Sequence, residues 1–515
     1  MSEFVLAIEW QGFEKDKYVH TVLEDNILPP YIAQCRWFAG KARQIKLLKV
    51  KDTVHFGSFI FMTFEVKYDE GDSELYLLPL SFVEENTQEI AQKGVLCKAS
   101  MDEKIGLLVD AIYDEKFRAK LFTSVFHQST FPQHNDDSLV FAKGKAFVEE
   151  TEEIDSILPN IDSSNSAMIF GGKYFLKLYR KIFAETNPEA EMVEFITQNS
   201  DFRNIPRFAG SISWKRETAP EITFGVMVEV IQSLKDDWSM TGDYLNDFLE
   251  AFVEGNFQIK ESVFDKVSLL AHRTAEMHKA LFALRGADSF NAEPFDRQYR
   301  RFLHEKFENL LERRYNLLTE NYLKLDGQAQ ALAWKFMESK DMILEFIDQV
   351  LTRPLFSYRT RIHGDYHLGQ VLATEHDLVI IDFEGEPEST ITERKIKHSP
   401  LKDVAGMIRS YHYAVAAKLF NATETSTIEP KVLQRAADRW YKLIKDTYLD
   451  EYLGVFGSPH PLFKDNNEIN YLLLFHLLEK AVYEIGYEVN YRPSWVKIPL
   501  IGIAEVLMEV EKLRR

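Results

Sequence analysis

The chain has 515 residues, 45% of them apolar and 27% charged, with a formal net charge of -19. That length accommodates two or three domains and a large core. The acidic balance excludes a broad nucleic-acid or anionic-membrane surface, since both need clustered positive charge, but leaves room for an anionic small molecule at one local site. The two cysteines, Cys35 and Cys97, imply no disulfide framework. The start "MSEFVLAIEWQGF" lacks a basic region followed by an apolar core. No apolar run reaches the roughly 18 residues of a membrane span, so a soluble cytoplasmic protein is expected.

Three zones follow one another: residues 1–105, 106–232 and 233–515. The first carries long β-rich runs, "TVHFGSFIFMTFEVKY" and "ELYLLPLSFV", parted by the turn signal "DEGDS". The second has shorter strands and at least one helix. The third is helical almost throughout, broken only at 355–390, and "IQSLKDDWSMTGD" (231–243) marks the boundary before it.

In the second zone, Gly171-Gly172 lies between apolar β-formers and signals a two-residue hairpin turn. Facing Phe170 with Lys173 puts Lys177 opposite Ser166. A lone lysine in a strand is ordinarily solvated. This one would lie beside the small polar run Ser164-Asn165-Ser166, whose hydroxyls and backbone N–H groups can hold phosphate oxygens. Next, "ETNPEAEMVEFITQ" predicts a helix, with Asn187 as N-cap, Pro188 in the first helical position and acids in the first turn. Kinases place there the glutamate that orients the phosphate-binding lysine. Glu191 is the first choice, with Glu189 and Glu194 as alternatives; Glu189 reads better as a complement to the helix dipole.

The break at 355–390 contains "IHGDYHLGQVL" and then "VIIDFEGEP". Polar groups among Ile, Val and Leu need partners. A strand, a loop and two further short strands would bring Gln370 and Asp382 to one end of a sheet. An amide oxygen and a carboxylate there form an oxygen-only site suited to Mg²⁺. Asp365, in the preceding loop, can take a proton from a hydroxyl. The spacing H-x-D-x4-Q, then D-F, is the kinase layout of catalytic Asp, side-chain amide and metal-binding Asp. There is no G-x4-G-K-[ST], which excludes a P-loop enzyme. Farther on, Leu477, Leu478, Ala481, Val482 and Ile485 recur at helical spacing as core. Lys480, Tyr483, Glu484 and Tyr487 share the flank beside that stripe. Charged and aromatic groups on one flank suit a sugar; the alternative is an ordinary boundary face.

"HGDYHLGQVL" with "IDFEGEP" resembles the maltokinases, ATP-dependent kinases of the aminoglycoside-phosphotransferase-like, protein-kinase-like group. "RWFAGKAR", "SNS", "LKLYRK", "NPEAE", "SPLKDVAGMIRSYHYA" and "LEKAVYEIGYEVNYRPSWVKIPLIGI" extend the resemblance over most of the chain. It implies an α+β, bilobal protein-kinase-like fold with an N-terminal β-rich cap (1–105), a mixed nucleotide-binding subdomain (106–232) and a mostly helical C-terminal lobe (233–515). It further implies Asp365 as catalytic base, Gln370 and Asp382 on Mg²⁺ with Glu384 as a further acid, and Ser164, Asn165, Ser166, Lys177 and Glu191 around ATP. His367, Lys480, Tyr483, Glu484, Tyr487 and Arg492 would face the sugar. The implied reaction converts maltose and ATP to maltose 1-phosphate and ADP, feeding α-glucan (glycogen) synthesis beside a trehalose synthase, as a monomer or homodimer. A kinase of glucosamine, glucose or an aminoglycoside is the nearest alternative, and a non-catalytic sugar-binding regulator with the same fold a more distant one.

Overall fold

In the computed structural model, residues 5–514 are described except 86, 102, 149–150, 161–163, 284–288, 422–427 and 458–459. They form two compact units, Met1–Ile231 and Gln232–Arg515.

The first unit contains two seven-stranded sheets. One orders the strands Val5–Ile8, Val95–Met101, Lys104–Asp110, Glu74–Glu84, Phe59–Tyr68 and Ile45–Phe56, with Lys181–Ile182 added to Glu74–Glu84. The run "TVHFGSFIFMTF" forms its hairpin as patterned. Phe56 pairs with Phe59, and Gly57 supplies the positive φ (65°) that a tight turn requires. The other sheet runs Thr130–Pro132, Ser138–Lys143, Phe208–Lys215, Ile222–Glu229, Tyr174–Leu178, Ser166–Phe170 and Ser156–Ile157. The helix Glu115–Phe126 buries Phe117, Leu121, Phe122 and Val125, and Phe117 meets Phe56, Phe59 and Phe61 edge-on at ring separations of 5.3–6.0 Å. Aromatic burial of this size dominates a core. "RWFAGKAR" belongs to it: Trp37 and Phe38 are buried against Tyr76, and Arg43 pairs with Glu74 at 3.1 Å.

The second unit is helical apart from two small sheets. Glu261–Leu281 buries Val263, Val267, Leu270, Ala271, Thr274, His278 and Leu281, a stripe three or four residues apart. Pro430–Phe456 buries Leu433, Ala437, Trp440, Ile444, Tyr448, Tyr452 and Phe456 in the same way. Hydroxyls inside this packing find partners: Tyr366 OH lies 2.8 Å from Thr274 Oγ1, and Tyr448 OH donates to the same oxygen at 3.1 Å. In a low-dielectric core each such bond avoids a costly orphaned group. The strands Val371–Ala373 and Leu378–Ile380 pair with each other, and Lys235–Asp236 joins Val371–Ala373.

Candidate active site

In the second unit, the loop 362–367 is fixed from three sides. His363 is buried; its Nε2 donates to the Ile381 carbonyl at 2.9 Å, and its Nδ1 accepts the Asp365 N–H at 3.4 Å. Gly364 has φ +88°, and a Cβ there would come within 3.2 Å of Gly385 Cα, so the position takes only glycine. From below, the buried Asp403 carboxylate accepts the N–H groups of His363 (2.7 Å) and Gly364 (2.9 Å), and His278 Nε2 lies 3.1 Å from it. Burial drives the Asp403 carboxyl upward, but the bonds from His278 and Gly364 outweigh this and hold it below its ordinary range. His278 in turn contacts Tyr452 OH at 2.8 Å. The backbone that carries Asp365 is thereby tied to three helices.

Gln370 and Asp382 meet as their spacing implies: Gln370 Nε2 donates to Asp382 Oδ2 at 3.0 Å, and the Ile381 N–H bonds the Gln370 carbonyl. Asp382 holds φ +65°, a left-handed backbone that costs a non-glycine residue free energy and that recurs at functional sites. Glu384 offers a carboxylate oxygen within 4.8 Å of one from Asp382. The donor set fits Mg²⁺: all are hard oxygens once the amide is turned, and neighbouring vertices of an octahedron of about 2.1 Å radius lie about 3.0 Å apart.

Beside this loop lies a cavity of about 310 Å³, lined by Gly364 and Tyr366, by Glu386 and Glu388, and by His476, Glu479, Lys480 and Tyr483 of the helix Asn466–Tyr491, among others. Lys480 Nζ sits 3.6 Å from Asp365 and 3.2 Å from Glu386, and Tyr483 OH donates to Glu386 at 2.9 Å. Burial presses the Lys480 ammonium down, yet Glu386, Asp365 and Glu484 prevail and hold it above its ordinary value. Glu479 is held below the carboxylate range: burial raises it, but Lys402 and His476 outweigh that. An ionised Glu479 only accepts, so His476 donates Nδ1–H to it (3.0 Å). The lone pair of the buried His476 Nε2 then has no partner among the described residues.

Of the sequence-predicted sugar residues, Lys480 and Tyr483 line the cavity and four others do not. Glu484 is a correction. It is buried in a two-pronged ion pair with Arg409 (3.1 and 2.6 Å), so its carboxylate is committed to bracing helices. Tyr487 is another, since it stands exposed 5.0 Å from the Tyr491 ring. Arg492 donates to Glu488 at 2.7 Å and lies over the Trp495 ring. His367 caps the turn Leu368–Gln370 by accepting the Gly369 N–H. The flank was one helical turn off: the face runs 476, 479, 480, 483 rather than 480, 483, 484, 487. Glu386 and Glu388 were legible only as further acids in "DFEGEPES".

In the first unit, Gly171 and Gly172 both have positive φ (56° and 65°), but Phe170 pairs with Tyr174. Lys173 falls in the turn, and the register is one residue from the expected one, with Lys177 opposite Ala167. Lys177 Nζ pairs with Glu189 at 3.0 Å. The helix Pro188–Asn199 begins so close to the strand that its first turn meets the lysine, and Tyr179 OH fixes Glu189 at 2.9 Å. Glu191, two residues on, points about 200° round the helix. Ser166 is also corrected: it is buried and accepts from Arg180 Nε at 2.7 Å, within the buried Arg180–Asp110 ion pair. Ser164 is exposed, and Asn165 Oδ1 accepts the Arg180 N–H at 3.3 Å.

Known proteins resemble this architecture. A solved glucosamine kinase in complex with glucosamine, ADP and inorganic phosphate superimposes with a TM-score of 0.64 at 17% identity, over 93% of this chain and 98% of that one. A second crystal form of a glucosamine kinase gives 0.63 at 18% identity, over 93% and 99%. The chain therefore shares their kinase-like fold. Residues 31–114 match the maltokinase N-terminal cap domain. Glucosamine kinases of Streptacidiphilus jiangxiensis and Mycolicibacterium smegmatis are each 23% identical over 354 residues, 68% of this chain and 73% and 79% of theirs. The family match is confined to residues 31–114, and the likeness to the solved structures is one of fold.

Proposed function

We propose that the protein is an ATP-dependent maltokinase that phosphorylates maltose at its anomeric hydroxyl, giving maltose 1-phosphate and ADP for α-glucan synthesis. The observation that carries this reading is the charge balance of the cavity beside Asp365. Its acids (Glu386, Glu388, Glu393, Asp403, Glu479) are matched in number by its cations (Lys306, Arg313, Arg314, Lys402, Lys480). Lys306 pairs with Glu393, Lys402 with Glu479, and Lys480 with Glu386. A cationic acceptor gains from surplus carboxylates, whereas a neutral sugar is served by polar groups already matched in charge. The cap match at 31–114 supports the same acceptor.

In this reading Asp365 takes the proton of the anomeric hydroxyl as the phosphoryl group is transferred. His363 and Asp403 hold the loop so that Asp365 needs no reorganisation at that moment. Lys480 restrains the carboxylate from the sugar side, and His476 Nε2 accepts a sugar hydroxyl. Lys177, oriented by Glu189, takes the α- and β-phosphates of ATP. Gln370, Asp382 and Glu384 would hold Mg²⁺, which when bound neutralises charge on the phosphates.

The second reading is glucosamine, because two curated relatives bear that name. Incubation with ATP and Mg²⁺ against maltose, glucosamine and glucose, with ³¹P NMR of the product, decides between them. Turnover of maltose with an anomeric phosphate is expected. Turnover of glucosamine alone, or phosphate on a primary hydroxyl, overturns the proposal.

A further inference from the structure

The acids that follow Asp382 belong to one loop, residues 383–390, and that loop closes on a single side chain. Arg394 ends the short helix Ile391–Arg394, whose start is fixed by a capping box between Thr390 and Glu393. Its guanidinium reaches back over the loop and donates to three carbonyls: Nε to Ser389 at 3.0 Å, Nη2 to Pro387 at 2.8 Å and Nη1 to Glu384 at 3.4 Å. The Ser389 N–H adds a bond to the Glu386 carbonyl at 3.0 Å. The aliphatic stem is packed as well. Gly385 holds φ +76°, and a Cβ there would lie 3.2 Å from Arg394 Cβ. Gly385 Cα also lies against Gly364, the neighbour of Asp365.

The two acids that flank Gly385 serve different sides of the site. Glu384 brings a carboxylate oxygen within 4.8 Å of one from Asp382, on the metal side. Glu386 holds Lys480 at 3.2 Å and the Tyr483 hydroxyl at 2.9 Å, on the sugar side. One rigid fork grips the carbonyl before Gly385 and two carbonyls after Glu386, so the two acids cannot shift independently. Burial holds the Arg394 guanidinium below its ordinary range, against the pull of Glu384, Glu386, Asp365 and Asp382. A lysine there would keep the charge but lose the fork, because its donors share one nitrogen.

We propose that Arg394 is a positioning residue that locks Glu384 and Glu386 into one geometry, so that a single guanidinium sets both the metal side and the sugar side of the site. The inference rests on the sugar-kinase reading above, but not on which sugar is the acceptor. Arg394→Met and Arg394→Lys are compared with wild type in the full chain. Mn²⁺, a paramagnetic stand-in for Mg²⁺, is titrated in the presence of ADP and followed by electron paramagnetic resonance. Whichever of maltose, glucosamine and glucose wild type phosphorylates is titrated calorimetrically without nucleotide. Removing a group that orients ligand-bearing side chains costs roughly 10–100-fold in metal affinity or activity. Both affinities should therefore weaken by about tenfold or more in Arg394→Met, with kcat lower by a similar factor. Arg394→Lys should lose both as well, while ADP alone binds as in wild type. A lower Tm with both affinities of the folded protein unchanged would make Arg394 merely structural and overturn the proposal. So would weakening of one affinity without the other. Full recovery of both in Arg394→Lys would also overturn it, because charge rather than the held backbone would then matter. Arg394→Lys decides alone where Arg394→Met does not fold. A wild type that binds neither Mn²⁺ nor any of the three sugars would instead refute the reading of the site itself.

Discussion

The cavity beside Asp365 and a cavity of about 190 Å³ beside Trp214 in the first unit are both polar, but only one has its charges matched. In the first, the carboxylates of Glu386, Glu393 and Glu479 each have an ammonium within 3.3 Å, and the loop that carries Asp365 is bonded from three sides. In the second, the Asp52 and Asp137 carboxylates accept from the Thr63 hydroxyl and the Glu217 N–H and have no cationic partner among the described residues. Paired charges held in fixed geometry are what group transfer needs, because their electrostatic work is done before the substrate arrives. The difference teaches that polar atoms lining a cavity do not by themselves mark chemistry; the kind of partner they keep does.

The largest effect should come from removing the base. Asp365→Asn keeps the shape of the loop and removes the proton acceptor, so kcat should fall by roughly 10²–10⁴-fold. ADP affinity measured calorimetrically should stay within a few-fold of wild type. Undiminished turnover would dissolve the contrast between the two cavities.

A pair of substitutions sharpens the boundary of the reactive cavity. Lys480→Met removes the ammonium shared by Asp365 and Glu386, and the sugar KM should rise by about tenfold or more, the worth of roughly 1.4 kcal/mol or above. Glu484→Gln leaves Arg409, only 3% exposed, facing a neutral amide. It should cost about 3 kcal/mol or more of stability, as the breaking of a buried pair does, seen as a lower Tm, while the sugar KM of the folded enzyme changes little. A KM effect from Glu484→Gln equal to that of Lys480→Met would return Glu484 to the sugar side.

That pair also shows where sequence reading stopped. The approach of Gln370 to Asp382 was legible because its constraints are local: their spacing runs through short strands that leave few arrangements. The helix Asn466–Tyr491 was legible as a helix but not in phase. It is buried almost all round, with Glu479, Glu484 and Glu488 inside as well as Leu477 and Leu478, so the apolar stripe did not single out which flank met the cavity. The partner of Lys177 escaped for a related reason. Choosing Glu189 over Glu191 depends on how the chain turns between strand and helix, a tertiary fact with no periodicity. The cavity beside Trp214 left no signal at all, since Asp52, Asp137 and Trp214 are far apart in sequence and each is unremarked alone.

A pH-dependent effect concerns a third enclosed space, which joins the two kinds of wall. Asp237 and Trp440 line a gap of about 10 Å³ in the second unit, roughly one water in size. Asp237 Oδ1 and Trp440 Nε1 are both buried without a partner among the described residues. Here an orphaned group is also titratable. Burial pushes the Asp237 carboxyl up to about 7, against the pull of Lys266 and with a push from Asp236. Tyr244 and Tyr411, which also line the gap, are themselves raised by burial and stay neutral below pH 10. An unfolded Asp releases its proton near pH 4, so between about pH 4 and pH 7 the folded protein binds the extra proton. Stability from this group therefore falls as pH rises through that window. Asp237→Asn removes the titration. The variant should match wild type near pH 4 and exceed it by roughly 2–4 kcal/mol at pH 8, read from urea unfolding at each pH. A difference that does not change with pH would mean the carboxylate is ionised in the fold and held by Lys266, which would place this gap with the cavity of matched charges rather than the unmatched one.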